Sequence, residues 1–387
     1  MDIAIISFHH SESSLVLAKH LSDNSKVHYY YITDRKKKSI HGVGYLSDKN
    51  FRIGLNEINL KEEHPLYNYL NVPNLKITVI AYPTFRQSFH WLNKLLTIYF
   101  LGKLKNSRYD VINIVGQEDL LTSYHKALNS KKVIHSLHEV AKHYNEQKLE
   151  NRLINLLYKK QIPVIVHSQN SYEMLLDQYP FDPKKVFVIP FGLFETYKYF
   201  SSGRVNEGEN TILFYGFLRP YKGLPTFIKA IKYASEKMLG LKAIIAGAGS
   251  DPSLESARQD KTFKVINKLL DNDEIADLNA MAKMIICPYT SASQSGIVTT
   301  SNVFNKPVIA SNIGGFKEII IDKVTGYLVE VDDYVTIGNH IMNLCNDEVL
   351  LSEMQHNIEA FYENGDYNWI NIADVTYKAY EAISLDK

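Results

Sequence analysis

The chain has 387 residues, enough for two or three domains of roughly 100–200 residues each. Hydrophobic residues at 45% and charged residues at 22% are ordinary for a globular protein, which excludes a disordered or low-complexity chain. The net charge of +1 hides an asymmetry: residues 1–200 carry 26 Lys and Arg against 18 Asp and Glu, whereas residues 201–387 carry 17 against 24.

The first elements are a strand at Ile3–Phe8, a polar loop at His9–Ser13, a helix at Ser14–Leu21 and a strand at Lys26–Ile32. Strand, helix and strand in that order make a βαβ unit of a parallel sheet. The grammar repeats with strands at Lys76–Ile80, Val111–Val115, Lys132–Leu137, Pro163–His167 and Lys185–Gly192, and a helix at Asn145–Tyr158. Phe194–Asn210 is polar and reads as a linker. A second set then follows, with strands at Thr211–Tyr215, Leu241–Ala246, Phe263–Ile266, Met284–Cys287, Lys306–Ala310 and Gly326–Val329. Helices are expected at Leu224–Glu236, Glu274–Ala282, 335–346, 349–363 and 369–384. The pattern predicts two doubly wound α/β domains with a cleft between them.

The longest apolar run, Leu95–Leu101, is far short of the roughly 20 residues that a membrane-spanning helix needs. No basic leader precedes Ile3, so a signal peptide is not expected. Cys287 and Cys345 are the only cysteines, which implies no disulfide framework and fits a cytoplasmic protein. The basic half has no RNA-binding signature, so nucleic acid is not the expected partner. Its stretch from Arg86 to Arg108 interleaves Trp91, Tyr99 and Phe100 with Lys94, Lys103 and Lys105, and Arg35-Lys36-Lys37-Lys38 adds charge. Cationic, aromatic helices of this kind lie in membrane interfaces, so contact with an anionic surface is expected.

Gly216-Phe217-Leu218-Arg219-Pro220-Tyr221-Lys222-Gly223 sits where a strand ends and a helix begins. Open α/β sheets bind ligands there, and two cations between glycines suit a diphosphate: Arg219 as a planar fork, Lys222 as a point charge. Pro288-Tyr289 and Gln294-Ser295-Gly296 precede Lys306-Pro307-Val308 and Gly314-Gly315, with Glu318 three residues on. Small polar residues opening a helix expose backbone N–H groups to phosphate or sugar oxygens.

Together these motifs resemble the GT-B-fold glycosyltransferases, most closely the large retaining family 4 with its group 1 C-terminal domain. Val166-His167-Ser168-Gln169 and Val188-Ile189-Pro190-Phe191-Gly192 are similar to that family's last N-domain strands. The resemblance implies two Rossmann-like doubly wound parallel-sheet domains facing a central cleft. Residues 1–193 would bind the acceptor, with a terminal helix of about 369–387 packing back on them. Residues 194–368 would bind the nucleotide-sugar through Gly216, Arg219, Lys222, Gly249, Asn267, Gln294, Ser295, Gly296, Ile297 and Thr300. His138 and Glu139, after a parallel strand, would be catalytic, and Ser11, Ser13 and His143 would lie on the acceptor side. Two family glutamates are replaced, by Ala292 and Thr300.

The implied reaction moves a sugar from a UDP- or GDP-sugar to a glycan or polyprenyl-linked glycan, with retention, in cell-surface polysaccharide or glycoconjugate synthesis. No cofactor is expected, and no catalytic metal: no Asp-x-Asp metal motif is read in the chain, and Arg219 and Lys222 supply the charge that a diphosphate requires. The rival readings are a nucleotide-sugar 2-epimerase of the same fold and an inactive nucleotide-sugar or glycan-binding module. The expected location is the cytoplasm, peripheral to the inner face of the membrane.

Overall fold

The computed structural model describes residues 1–8, 10–35, 46, 51–83, 91–118, 120–128, 132–140, 152–201, 210–292 and 296–385. The described residues form two compact units, one from 1–192 with 369–385 and the other from 193–368.

The first unit opens with β1 (Asp2–Phe8), α1 (Ser11–Leu21), β2 (Lys26–Asp34) and β3 (Gly54–Glu57). α2 (Tyr67–Leu70), β4 (Leu75–Tyr82), α3 (Trp91–Lys105), β5 (Val111–Val115) and α4 (Leu121–Ala127) follow. β6 (Val133–Leu137), α5 (Arg152–Lys159), β7 (Val164–Val166), α6 (Gln169–Gln178) and β8 (Val186–Val188) complete the pass. The sheet order is β3-β4-β2-β1-β5-β6-β7-β8. Every pairing is parallel except that of β3 with β4. Runs such as Ile3–Ile6 are wholly buried because helices cover both faces of a parallel sheet.

Two local expectations change. Ser11–Ser13 is the first turn of α1 rather than a loop: Ser14 donates from both its backbone N (3.2 Å) and its Oγ (2.6 Å) to the His10 carbonyl. Short, polar β3 carries no apolar alternation, and its strand character comes from pairing with β4 alone.

The second unit contains β9 (Thr211–Tyr215), α7 (Leu224–Ser235), β10 (Lys242–Ala246), α8 (Leu254–Arg258) and β11 (Phe263–Ile266). It continues through α9 (Asn272–Met281), β12 (Met284–Cys287), α10 (Gly296–Ser301), β13 (Val308–Ser311), α11 (Phe316–Ile319) and β14 (Gly326–Val329). α12 (Tyr334–Asn346) and α13 (Glu348–Asn364) close it. The all-parallel order β11-β10-β9-β12-β13-β14 winds outward from β9 and β12. In the first sheet the winding reverses between β1 and β5. Beyond the carboxyl ends of such a pair, the flanking loops diverge and leave a crevice.

Within the stretch read as a linker, Glu195–Tyr199 forms a 3₁₀ turn that buries Thr196 and Tyr197, and residues 202–209 lie outside the described residues. α14 (Trp369–Leu385) returns to the first unit. The Trp369 indole lies so close to Gly192 that a Cβ there would stand 2.6 Å from Nε1, and the Tyr380 hydroxyl accepts from Asn113 Nδ2 at 2.7 Å. Among the described residues no helix is long and apolar enough to cross a membrane.

Candidate active site

In the second unit, pairing runs on past the strand ends. Gly216 N donates to the Ala246 carbonyl at 2.9 Å and Leu218 N to that of Ala248 at 2.8 Å, which brings Leu218 into a bridge with Gly249. The chain then turns through Pro220–Lys222 to Gly223, whose φ of +68° lies in the left-handed region. A Cβ on Gly223 would stand 1.9 Å from the Pro288 carbonyl oxygen, so only glycine fits. Thr290 N donates to the Tyr221 carbonyl at 2.8 Å, tying the loop after β12 to the loop after β9.

These constraints bury Lys222, which is only 8% exposed. Its amine rests on Gly216, where a Cβ would come within 2.7 Å of Nζ, and it lies 5.2 Å from the Tyr289 ring centroid. Among the described residues no carboxylate pairs with it. Burial pulls its ammonium down to about 8; the Cys287 thiol opposes that fall and Arg219 adds to it. A buried cation without an anionic partner is costly, and an anion entering the crevice would relieve that cost.

Ile297 joins this group, with Cδ1 3.3 Å from the position a Gly216 Cβ would take. Arg219 is exposed at the head of the same turn. Gly249 and Asn267 are exposed just past β10 and β11. Gly296 opens α10, and buried Thr300 donates its hydroxyl to the Gly296 carbonyl at 2.8 Å. With that proton committed, Thr300 could meet a ribose hydroxyl only by accepting from it. Gln294 and Ser295 lie outside the described residues.

In the first unit, side chains from several strand ends converge. The rings of His10, just after β1, and His138, just after β6, stack 3.6 Å apart and 8° from parallel. His138 also meets His167 at 4.8 Å and Phe191 at 4.9 Å, while His167 stacks on Phe191 at 3.8 Å. Burial, reinforced by His10, His167 and His135, holds His138 well below the usual histidine range. It is thus a neutral imidazole at neutral pH.

His167 donates Nδ1–H to the Ile189 carbonyl at 2.8 Å, and burial pushes it down to about 3. Behind this group, His135 donates Nε2–H to the Gly116 carbonyl at 2.8 Å, leaving Nδ1 to accept from His125 at 2.9 Å. Glu139 is partly buried, and its carbonyl accepts from the Gln117 amide. A cavity of about 20 Å³, large enough for one water, is lined by Ser13, Ser136, His138, His167, Phe191 and Trp369 among others.

Ser11 and Ser13 are buried, whereas burial around partly exposed Glu12 pushes its carboxyl up to about 7. His143 lies outside the described residues. His167 and Tyr289 entered the sequence reading only as parts of matching motifs, and His10 and Glu12 only within a polar loop, although each stands within four residues of a parallel strand's carboxyl end. One Asp-x-Asp triplet does occur, Asp271-Asn272-Asp273, but Asp271 caps α9: its Oδ1 accepts from Glu274 N at 2.8 Å while Glu274 reaches back to Asp271 N.

The profile described as Glycosyl transferases group 1 matches residues 196–362, and the one described as Glycosyltransferase Family 4 matches residues 60–193. The chain belongs to the GT-B glycosyltransferases. This glycosyltransferase is 22% identical over 345 residues to the Escherichia coli UDP-Gal:alpha-D-GlcNAc-diphosphoundecaprenol alpha-1,3-galactosyltransferase, covering 80% of the chain and 86% of that relative. It is 27% identical over 188 residues to an uncharacterized glycosyltransferase of Methanocaldococcus jannaschii, covering 46% of the chain and about half (50%) of that relative's length. Among solved structures, Anabaena HepE in complex with UDP and glucose superposes with a TM-score of 0.67 at 15% identity, covering 100% of both chains. The sucrose-phosphate synthase of Thermosynechococcus elongatus gives 0.67 at 17% identity, covering 99% of this glycosyltransferase and 98% of that chain.

Proposed function

We propose that this glycosyltransferase transfers a sugar, with retention, from a nucleotide-diphosphate donor to a glycan or polyprenyl-linked glycan acceptor in cell-surface polysaccharide or glycoconjugate synthesis. The observation that carries the reading is Lys222: nearly buried, unmatched by any carboxylate among the described residues, and held at the switch point of the second sheet. A diphosphate is the anion that suits it. Arg219 would take the more exposed oxygens as a fork, and both cations would stabilise the charge that grows as the sugar leaves. The bond from the anomeric carbon to the diphosphate oxygen breaks, a bond to the acceptor hydroxyl forms, and that hydroxyl's proton passes to the departing diphosphate. His138 and Glu139 are assigned to the transfer step, with Gly249, Asn267, Gly296, Ile297 and Thr300 on the donor side. No divalent ion is assigned a role.

The solved relative's complex with UDP and glucose supports a nucleotide-sugar donor, and the Escherichia coli relative's name supports a lipid-diphosphate-linked acceptor. Such an acceptor would bring the chain to a membrane on its cytoplasmic side. The test is nucleotide release from a panel of UDP- and GDP-sugars, with and without a polyprenyl-diphosphate-linked glycan. Release that rises with acceptor and yields an extended glycan is expected. Binding without release would leave only a binding module, and a donor epimerised without acceptor would mean a different reaction.

A further inference from the structure

Helix α3 of the first unit is apolar on two opposite faces. Asn93, Thr97, Phe100, Leu101 and Leu104 are buried. On the other side Ile98 is 67% exposed, Trp91 64%, Tyr99 56% and Leu95 54%. At about 100° per residue these four fall in one stripe roughly 100° wide. Lys94 and Lys105 run along one edge of the stripe and Lys103 along the other, with the Lys103 amine 5.6 Å from the Tyr99 ring centroid. From Trp91 to Tyr109 the sequence contains no Asp or Glu.

A solvent-facing helix normally sheds apolar residues from its outer face, and a contiguous exposed patch marks a contact surface. The charges decide the occupant. In a symmetric pairing with a second copy, the same patch would meet itself, setting lysine rows against lysine rows with no carboxylate between them. An anionic lipid surface reverses that penalty. Trp and Tyr rings sit at the headgroup level, and lysine stems extend along apolar surface to reach phosphates. We propose that α3 docks on an anionic membrane, with the Trp91, Leu95, Ile98 and Tyr99 stripe at the headgroup level and Lys94, Lys103 and Lys105 on lipid phosphates. The inference rests on this helix alone and does not depend on which sugar is moved.

The test uses the full chain with vesicles of phosphatidylcholine alone or in equal parts with phosphatidylglycerol. Trp91 and buried Trp369 are the only tryptophans, so a blue shift of emission on vesicle addition reports Trp91. Sedimentation and a blue shift with the mixed vesicles only, both fading with salt, are the expected results. Leu95→Glu with Ile98→Glu should abolish binding, and Lys94→Glu or Lys105→Glu should weaken it by roughly fivefold or more each. Melting and solution binding of nucleotide diphosphate should stay unchanged in these variants, which separates failure of docking from failure of the nucleotide-sugar reading. Equal binding to both vesicle types, absence of binding at low salt, or wild-type binding by the glutamate variants would overturn the proposal. So would a concentration-dependent dimer dissolved by Ile98→Glu, which would make a second copy the occupant.

Discussion

The two sheets wind outward from a strand pair in the same way, yet the two crevices are furnished in opposite styles. At the first, the carboxyl ends of β1, β6, β7 and β8 bring together stacked, uncharged rings: His10, His138, His167 and Phe191. The second, beyond β9 and β12, keeps a buried cation whose counter-charge must come from outside. Net charge runs the other way, because the half carrying Lys222 is the acidic one. Local placement of two cations, rather than the sum over a domain, therefore suits a site to an anion, and the surplus positive charge of the first half is free for other contacts such as α3.

Acid should separate the units most. Burial holds His28 and His135 near 4, His167 near 3, and His125 and His138 well below 6.5, all in the first unit; in the second, among the described residues, only His340 is lowered. Below about pH 6.5 the unfolded chain binds more protons than the folded one, so stability falls as pH drops from there toward 4 and is unaffected above it. His28 and His135 each contribute on the order of 3 kcal/mol at full titration. Limited proteolysis at stepwise lower pH should cut within residues 1–192 first. Earlier cutting in 193–368 would break the contrast.

The next largest effect is on turnover. His138→Ala should lower transfer about 100-fold or more while leaving nucleotide affinity within a few-fold, as for a group that acts mainly in the transition state. Normal transfer by this variant would displace the active site from the histidine group. Lys222→Ala should weaken nucleotide-diphosphate binding by about tenfold to a hundredfold, read by calorimetry. Wild-type affinity would mean that the lysine does not meet the diphosphate.

Alkali gives a smaller and sharper signature. With Lys222 near 8 in the empty site, nucleotide affinity should hold below pH 8 and fall by at most about tenfold per pH unit above it. Lys222→Ala should lose that alkaline limb, and persistence of the limb in the variant would assign it to another group. Chelation should have the smallest effect, leaving turnover intact in EDTA. Loss that Mn²⁺ restores would show that the two cations are insufficient alone.

Most strands of both sheets were legible because fully buried parallel strands read as near-continuous apolar runs. β3 was not, since Gly54-Leu55-Asn56-Glu57 is held by one edge partner rather than by burial. The N-terminal turn of α1 read as a loop because serines favour caps and turns, and only the bonds from Ser14 to the His10 carbonyl show the helix starting earlier. The glycine-flanked cations were visible, but a lysine in a turn usually stands in water. The burial of Lys222 depends on Pro288, Tyr289 and Thr290, more than sixty residues away in sequence. Of the histidine group only His138 was legible as a site residue, through the family resemblance; its convergence with His10 and His167 was not, because the three share no spacing and meet only through the order of the strands.

Because Trp369 seats beside Gly192 and His20, and Tyr380 on Asn113, translation delivers the first unit's closing helix only after all of residues 193–368. At ordinary ribosomal speeds that interval is roughly 10–35 s, long compared with the folding of most single domains. The second unit, a single stretch of chain among the described residues, has everything it requires before the first does. The part of the molecule made earliest is thus completed latest. Until α14 emerges, the seats for its tryptophan and tyrosine stand open to chaperones and to neighbouring nascent chains.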